Sequence, residues 1–186
     1  PGPGGVPFAA TLLGNRKYKS QELLAYEFGY RVQPASEFSL DLALFYNRYR
    51  RLRTADPAAP FFQPLPLPAR VVVPIRFGNN MRGETYGGEV VANWRVRRPW
   101  KLTGSYSFLR EELHLLPAAT DLGAPRAAGD NPRHQFNVRS FLSLPRRFEL
   151  DTHVYFVGRL PNQGVPRYAR FDLRLGWHPS ESVELS

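Results

Sequence analysis

Between Tyr86 and Val96 apolar and polar residues change places at almost every step. Tyr86, Gly88, Val90, Ala92, Trp94 and Val96 make one series, while Glu89, Val91, Asn93 and Arg95 fall between them. Side chains alternate faces along a β-strand, so this spacing predicts a strand with one apolar and one polar face. The pattern recurs. Leu24, Tyr26, Phe28, Tyr30 and Val32 share a parity, as do Phe38, Leu40, Leu42, Leu44 and Tyr46 across a short turn. Leu102–Phe108, Phe136–Leu144, Phe148–Phe156 and Ala169–Trp177 repeat it, and "VELS" begins another strand. Such two-faced strands fit a soluble sheet with its polar face in water, or a transmembrane wall with its apolar face in lipid.

The breaks between the strands are sorted by length. Gln33–Glu37, Arg98–Trp100, Pro145–Arg147 and His178–Ser182 are short, whereas Leu52–Pro68 and Pro117–Pro132 are long and Pro161–Pro166 is intermediate. Alternate connections of an up-and-down meander lie at the same end, so one rim carries tight turns and the other long loops. That asymmetry belongs to outer-membrane barrels. The proline-rich "LRTADPAAPFFQPLPLP" is expected to exclude a central strand, and Pro74 to make "VVVPIRF" a short edge or a bent strand start.

The polar parity carries Glu27, Asp41, Glu89, Glu149, Asp151 and Asp172 against Arg31, Arg95, Arg97, Arg139, Arg170 and Arg174. These charges balance, which places the net charge of +9 mostly in rims and loops and suits a filled interior better than a selective ion pore. The Arg residues are spread among acids rather than clustered in stripes, which argues against a nucleic-acid partner. The exception is Arg48, Arg50, Arg51 and Arg53, where a strand meets the first long loop. For these the readings are a solvated rim, a rim against anionic lipid or lipopolysaccharide, and a nucleic-acid patch.

The chain has no cysteine, so disulfides and thiolate chemistry are excluded. No apolar run is long enough for a transmembrane helix, a test that is blind to barrels. Four scattered His residues lack metal-ligand spacing, and "GETYGG" lacks the context of a phosphate loop. Glu149 and Asp151 share a face, but a salt-bridge lattice with nearby Arg residues explains them better than glycosidase-like acid catalysis. Neither an enzyme nor a cofactor is expected.

Several stretches resemble TonB-dependent outer-membrane receptors. Gly14–Asn15 and Lys19–Ser20 precede a Tyr-Glu-x-Gly strand at Tyr26–Gly29; Phe45–Asn47 match the family's Phe-Tyr-Asn; Tyr86–Glu89 match its Tyr-Gly-x-Glu strand. "GSYSFL" and "NPRHQFNVRS" are similar to strands that follow. The resemblance implies an all-β fold, an antiparallel up-and-down meander that is an incomplete section of a 22-stranded transmembrane β-barrel. Residues 1–20 would be an outer loop segment and 21–186 about seven full strands and part of an eighth, a fragment of the C-terminal half without plug or TonB box. Alone, it would be an open sheet.

The resemblance further implies a multi-pass barrel in the bacterial outer membrane. Such a receptor takes up a ferric siderophore or similar scarce solute and works with the TonB complex through the plug region. Outer-membrane lipid and lipopolysaccharide would surround it. A passive porin-like barrel and a soluble basic all-β binding module are the alternatives. Glu27, Arg31, Asp41, Glu89, Arg95, Arg139, Asp151, Asp172 and Arg174 are expected to face the plug or lumen; Phe61, Phe62 and Arg126 are candidate loop contacts to the solute.

Overall fold

A computed structural model of the chain describes residues 7–180 and 183–186. Ten strands follow in order: β1 Phe8–Leu13, β2 Glu22–Ala35, β3 Phe38–Pro57, β4 Phe61–Gln63, β5 Arg70–Arg97, β6 Trp100–Leu115, β7 His134–Leu144, β8 Phe148–Val157, β9 Tyr168–Ser180 and β10 Val183–Leu185. Seven of them, β2, β3 and β5–β9, are ten residues or longer. The main path is β10-β9-β8-β7-β6-β5-β3-β2, with β1 and β4 both added to β5. Among the described residues no ladder joins β2 to β10, so the order has two ends, as expected for the fragment alone.

The chain packs as two units. One comprises Pro1–Leu24, Asn47–Glu84 and Glu112–Ala127; the other comprises Ala25–Tyr46, Thr85–Glu111 and Ala128–Ser186.

In the second unit the ladders test the expected faces. Gly104, Val138, Val154 and Phe171 form one cross-strand row, and Tyr106, Phe136, Phe156 and Ala169 form another. Every residue of both rows belongs to the series read as apolar. The turns shorten accordingly. Ser36 and Glu37 alone separate β2 from β3, Arg98 and Pro99 separate β5 from β6, and Pro145–Arg147 close β7 onto β8. Of the fourth short connection, Glu181 and Ser182 lie outside the described residues.

Arg146 and Arg147 take φ of 62° and 63°, the left-handed region that usually demands Gly or Asn. Gly87 and Gly88 mark a close approach instead. A Cβ on Gly87 would run into the Phe108 carbonyl oxygen, and one on Gly88 would come within 3.0 Å of the Ala43 carbonyl oxygen. The glycines let neighbouring backbones close up within the sheet.

Two expectations need correction in the first unit. The strand expected to dissolve at Leu52 continues to Pro57. Of the two readings of "VVVPIRF", a short edge or a strand start, the second holds: it opens the 28-residue β5. Pro74 is tolerated there because its carbonyl still accepts, from Ala58 N at 2.8 Å; only its donor is lost. The sheet is also not wholly antiparallel. β1, inside the segment read as an outer loop, pairs in parallel with β5, with Phe8 beside Val71 and Leu13 beside Arg76. The small core of this unit holds Val72, Met81 and Thr54, the last only 1% exposed.

Candidate functional site

The polar face is built from the polar parity of the second unit. One cross-strand row runs Thr103, Arg139, His153, Asp172; the next runs Lys101, Phe141, Asp151, Arg174. Arg174 Nη1 lies 3.0 Å from Asp151 Oδ2 and 3.7 Å from Glu149 Oε2, and its other nitrogen pairs with Glu184. His178 Nε2 stands 3.4 Å from the same Glu149. Arg170 Nε bonds Asp172 Oδ1 at 2.8 Å, and Arg31 pairs with Asp41 between β2 and β3. Neutral bonds continue the lattice: Thr103 Oγ1 to Asn93 Oδ1 at 3.0 Å, and Asn137 Nδ2 to Ser105 Oγ. Pairs this accessible are screened by solvent and add little to stability. Their main effect is to fix side-chain positions on the wall.

The nine residues expected on this face are therefore only partly brought together. Arg31 with Asp41, and Asp151 with Arg174, form ion pairs. Arg139 and Asp172 share a row with His153 between them. Glu27, Glu89 and Arg95 are exposed; Glu89 lines one depression with Arg31 and Asp41, and Arg95 is anchored through its backbone N, which donates to Glu37 O at 2.7 Å.

The opposite face has the reverse chemistry. On β9, Phe171, Leu173 and Leu175 are 62%, 61% and 56% exposed, whereas Asp172 and Arg174 between them are half-buried. A strand placed in water would bury the first set and expose the second. Aromatic residues gather where this face reaches the tight turns. Trp177 stacks on Phe148 with centroids 5.7 Å apart, Trp100 Nε1 donates to Ser140 Oγ at 2.9 Å, and Trp94 lies just before the Arg98–Pro99 turn. A second aromatic group, Tyr106, Phe108, Phe136 and Phe156, stands further along the same strands, with Phe136 and Phe156 stacked at 5.5 Å. Trp100 to Phe108 spans nine residues, within the roughly 9–11 that a tilted barrel strand needs to cross the membrane. An apolar band between two aromatic girdles is the lipid-facing pattern of outer-membrane barrels.

The first unit holds a polar cluster that the sequence did not reveal. Asp56 accepts from Thr54 Oγ1 at 2.6 Å, Asn80 Nδ2 at 2.8 Å, Thr120 N at 2.8 Å and Asp121 N at 3.1 Å. Asp121 Oδ2 in turn accepts from Ala55 N at 2.9 Å. A membrane-crossing strand needs about 9–11 residues, so the end of the 20-residue β3, with Asp56, lies beyond that span. Partial burial pushes the Asp56 carboxyl up, but the bonds from Thr54, Thr120, Asn80 and Asp121 together hold it below the ordinary carboxylate range. The bonds to Thr120 and Asp121 connect residues 64 to 66 positions apart, so no local motif announces them.

The candidate solute contacts do not form one site. Phe61 pairs with Val72 and Phe62 with Val71, which sets the two rings on opposite faces. Arg126 is exposed in the 3-10 turn Ala124–Gly129, and no hydrogen bond or ring contact links the three. Among the described residues there is no group of three or more His, Asp or Glu side chains able to hold a metal.

The model of the family "TonB dependent receptor-like, beta-barrel" matches residues 2–186. The chain belongs to the TonB-dependent receptor family. It is accordingly a piece of outer-membrane β-barrel, from a family of transport receptors and not of enzymes. No curated protein matches it. Among solved structures, the chain is similar to the FrpB iron transporter from Neisseria meningitidis, with 13% identity and a TM-score of 0.66, covering 90% of this chain and 26% of that one. The siderophore receptor PirA from Acinetobacter baumannii gives 13% identity and 0.64, covering 91% and 27%. The ferric yersiniabactin uptake receptor FyuA from Yersinia pestis gives 18% and 0.55, covering 88% and 23%. The chain thus spans about a quarter of the length of the solved receptors it matches. At these identities the likeness establishes the barrel fold.

Proposed function

We propose that this TonB-dependent receptor section forms wall, lining and outer loops of an active importer for a scarce large solute, a ferric siderophore. The single observation carrying this reading is the family match across residues 2–186; the iron and siderophore receptors among its structural neighbours support the choice of solute. In this reading the Arg139–His153–Asp172 and Asp151–Arg174 rows present a neutral polar surface to a plug domain. The lengthened β3 and β5, with β1 and β4, carry the loops that meet the solute. The inner-membrane TonB complex then works on the plug with energy from the proton gradient.

The test is uptake of radiolabelled ferric siderophores by cells carrying the complete gene, with labelled haem and cobalamin in parallel. Uptake of a ferric siderophore that disappears on deletion of the gene, and also on deletion of TonB, is expected. Uptake that persists without TonB would instead assign a passive porin-like barrel. Transfer of haem or cobalamin alone would keep the receptor reading and change its solute.

A further inference from the structure

The tight-turn end of the second unit carries a charge that its strands do not. Arg97 and Arg98 precede Pro99, Lys101 follows Trp100, and Arg146 and Arg147 lie in the turn between β7 and β8. The two turns are side by side. Trp100 pairs with Leu142, and Ser143 N donates to the Pro99 carbonyl at 2.7 Å. All of these cations are exposed, and they stand together on one rim.

Nothing in the fold neutralises them. Among the described residues none of these cations makes an ion pair or a side-chain hydrogen bond. In the neighbouring turn between β2 and β3, Glu37 accepts from Ser36 Oγ at 2.6 Å and lies by Arg95, whose N donates to its carbonyl. On β8, Glu149 is taken by Arg174 and His178. Arg146 and Arg147 moreover hold φ of 62° and 63°, a conformation that Gly or Asn adopts at less cost. Two such residues, strained and without a partner inside the protein, gain nothing from the fold. Their gain lies outside it.

The level of the patch selects the occupant. Arg98 lies two residues before Trp100, and Arg147 directly precedes Phe148, which stacks on Trp177. Aromatic residues of this kind mark the headgroup level of a membrane, and the short turns of outer-membrane barrels face the periplasm. Turns of two or three residues hold their side chains at that level instead of extending them into the periplasm. We infer that this basic rim binds anionic glycerophospholipid headgroups of the periplasmic leaflet. Guanidinium forks match phosphate oxygens in charge and geometry, and the surplus of unpaired cations favours a lipid with net negative charge over a zwitterionic one. The relation is independent of which solute the receptor carries.

The experiment uses the intact receptor in detergent and four probes: phosphatidylglycerol, phosphatidylcholine, inorganic phosphate and a polyglutamate peptide. Retention is read by native mass spectrometry across a titration. Phosphatidylglycerol is expected to bind the wild type more tightly than Arg98→Gln/Arg146→Gln/Arg147→Gln, by about five-fold for each Arg removed, the scale of one basic group at an anionic surface. Phosphatidylcholine should not distinguish the two proteins. Arg133→Gln/Arg159→Gln/Arg167→Gln removes equal charge at the other end of the same strands and should bind like wild type. Should the triple rim variant not fold, the single variants Arg98→Gln and Arg147→Gln replace it, each with an expected loss of about five-fold. Equal binding of phosphatidylglycerol by wild type and rim variants would overturn the inference, as would an equal loss in the control or an equal loss for phosphatidylcholine. Inorganic phosphate that displaces the lipid at equal concentration would assign the rim to a soluble anion, and polyglutamate that does so would assign it to an acidic polymer; either result overturns it too.

Discussion

Val138 offers the sharpest test of which face meets lipid. It lies at the centre of the row Gly104, Val138, Val154, Phe171, and is 41% exposed. On the partner strand β6, Gly104 is four residues from Trp100 and four from Phe108. At 3.3 Å per residue the row is about 13 Å along the strand from either aromatic group. That is the middle of the hydrocarbon band, where an Arg on the lipid face of a barrel costs about 2–4 kcal/mol. Val138→Arg in the intact receptor should lose that amount in a urea titration performed in lipid vesicles. The neighbour Asn137 points the other way and bonds Ser105. Asn137→Arg forfeits one hydrogen bond, about 1 kcal/mol, on a wall that already carries Arg139 and Arg170. A loss for Asn137→Arg equal to or greater than that for Val138→Arg would refute the assignment of faces. Near-neutrality of both would show that the row lies outside the hydrocarbon.

Four further outcomes follow from the geometry. Gly87→Val drives a side chain at the Phe108 backbone carbonyl and should cost about 1–3 kcal/mol by overpacking, read as a lower urea midpoint; an unchanged midpoint would show that the strands can separate there. Asp56→Ala removes the acceptor shared by Thr54, Asn80, Thr120 and Asp121 and should cost about 1–3 kcal/mol locally, seen as faster amide exchange at Thr120 and Asp121. Because its folded pKa is depressed, Asp56 contributes stability that is full above the unfolded carboxyl pKa and is lost as pH falls through the lower folded value. Protection at Thr120 should therefore decline on acidification in the wild type and be flat in Asp56→Asn. Replacing Arg146 and Arg147, both left-handed, by Asn and Gly should stabilise the β7–β8 hairpin by about 1 kcal/mol, measured as a raised urea midpoint.

What was legible in the sequence is what the membrane imposes. Between the two aromatic groups each residue must suit either lipid or the polar side, so Phe136, Val138 and Val154 declare their face and the ladders agree. Beyond that band both faces of a strand meet water and loops, and the constraint that writes the alternation is gone. Hence Leu52–Pro57 did not look like a strand, and Val71–Phe77 read only as a short edge or a strand start, although β3 and β5 run through them. The parallel pairing of Phe8–Leu13 leaves no periodic trace either, because it is set by a partner more than sixty residues away. The inner candidates were half legible. Parity placed Arg31 beside Asp41, but the convergence of Glu149, Asp151 and Glu184 on Arg174 needs the register of three strands. Phe61 and Phe62, adjacent in sequence, fall on opposite faces of β4.

The lattice around Arg174 bears on the electrostatics of this face. Charges there are paired with one another: Arg174 with Asp151 and Glu184, Arg170 with Asp172, Arg31 with Asp41. Opposite charges held side by side cancel at a distance, so these parts of the face are hydrated but electrically quiet. In the proposed importer such a stretch would exert little pull on an ion of either sign.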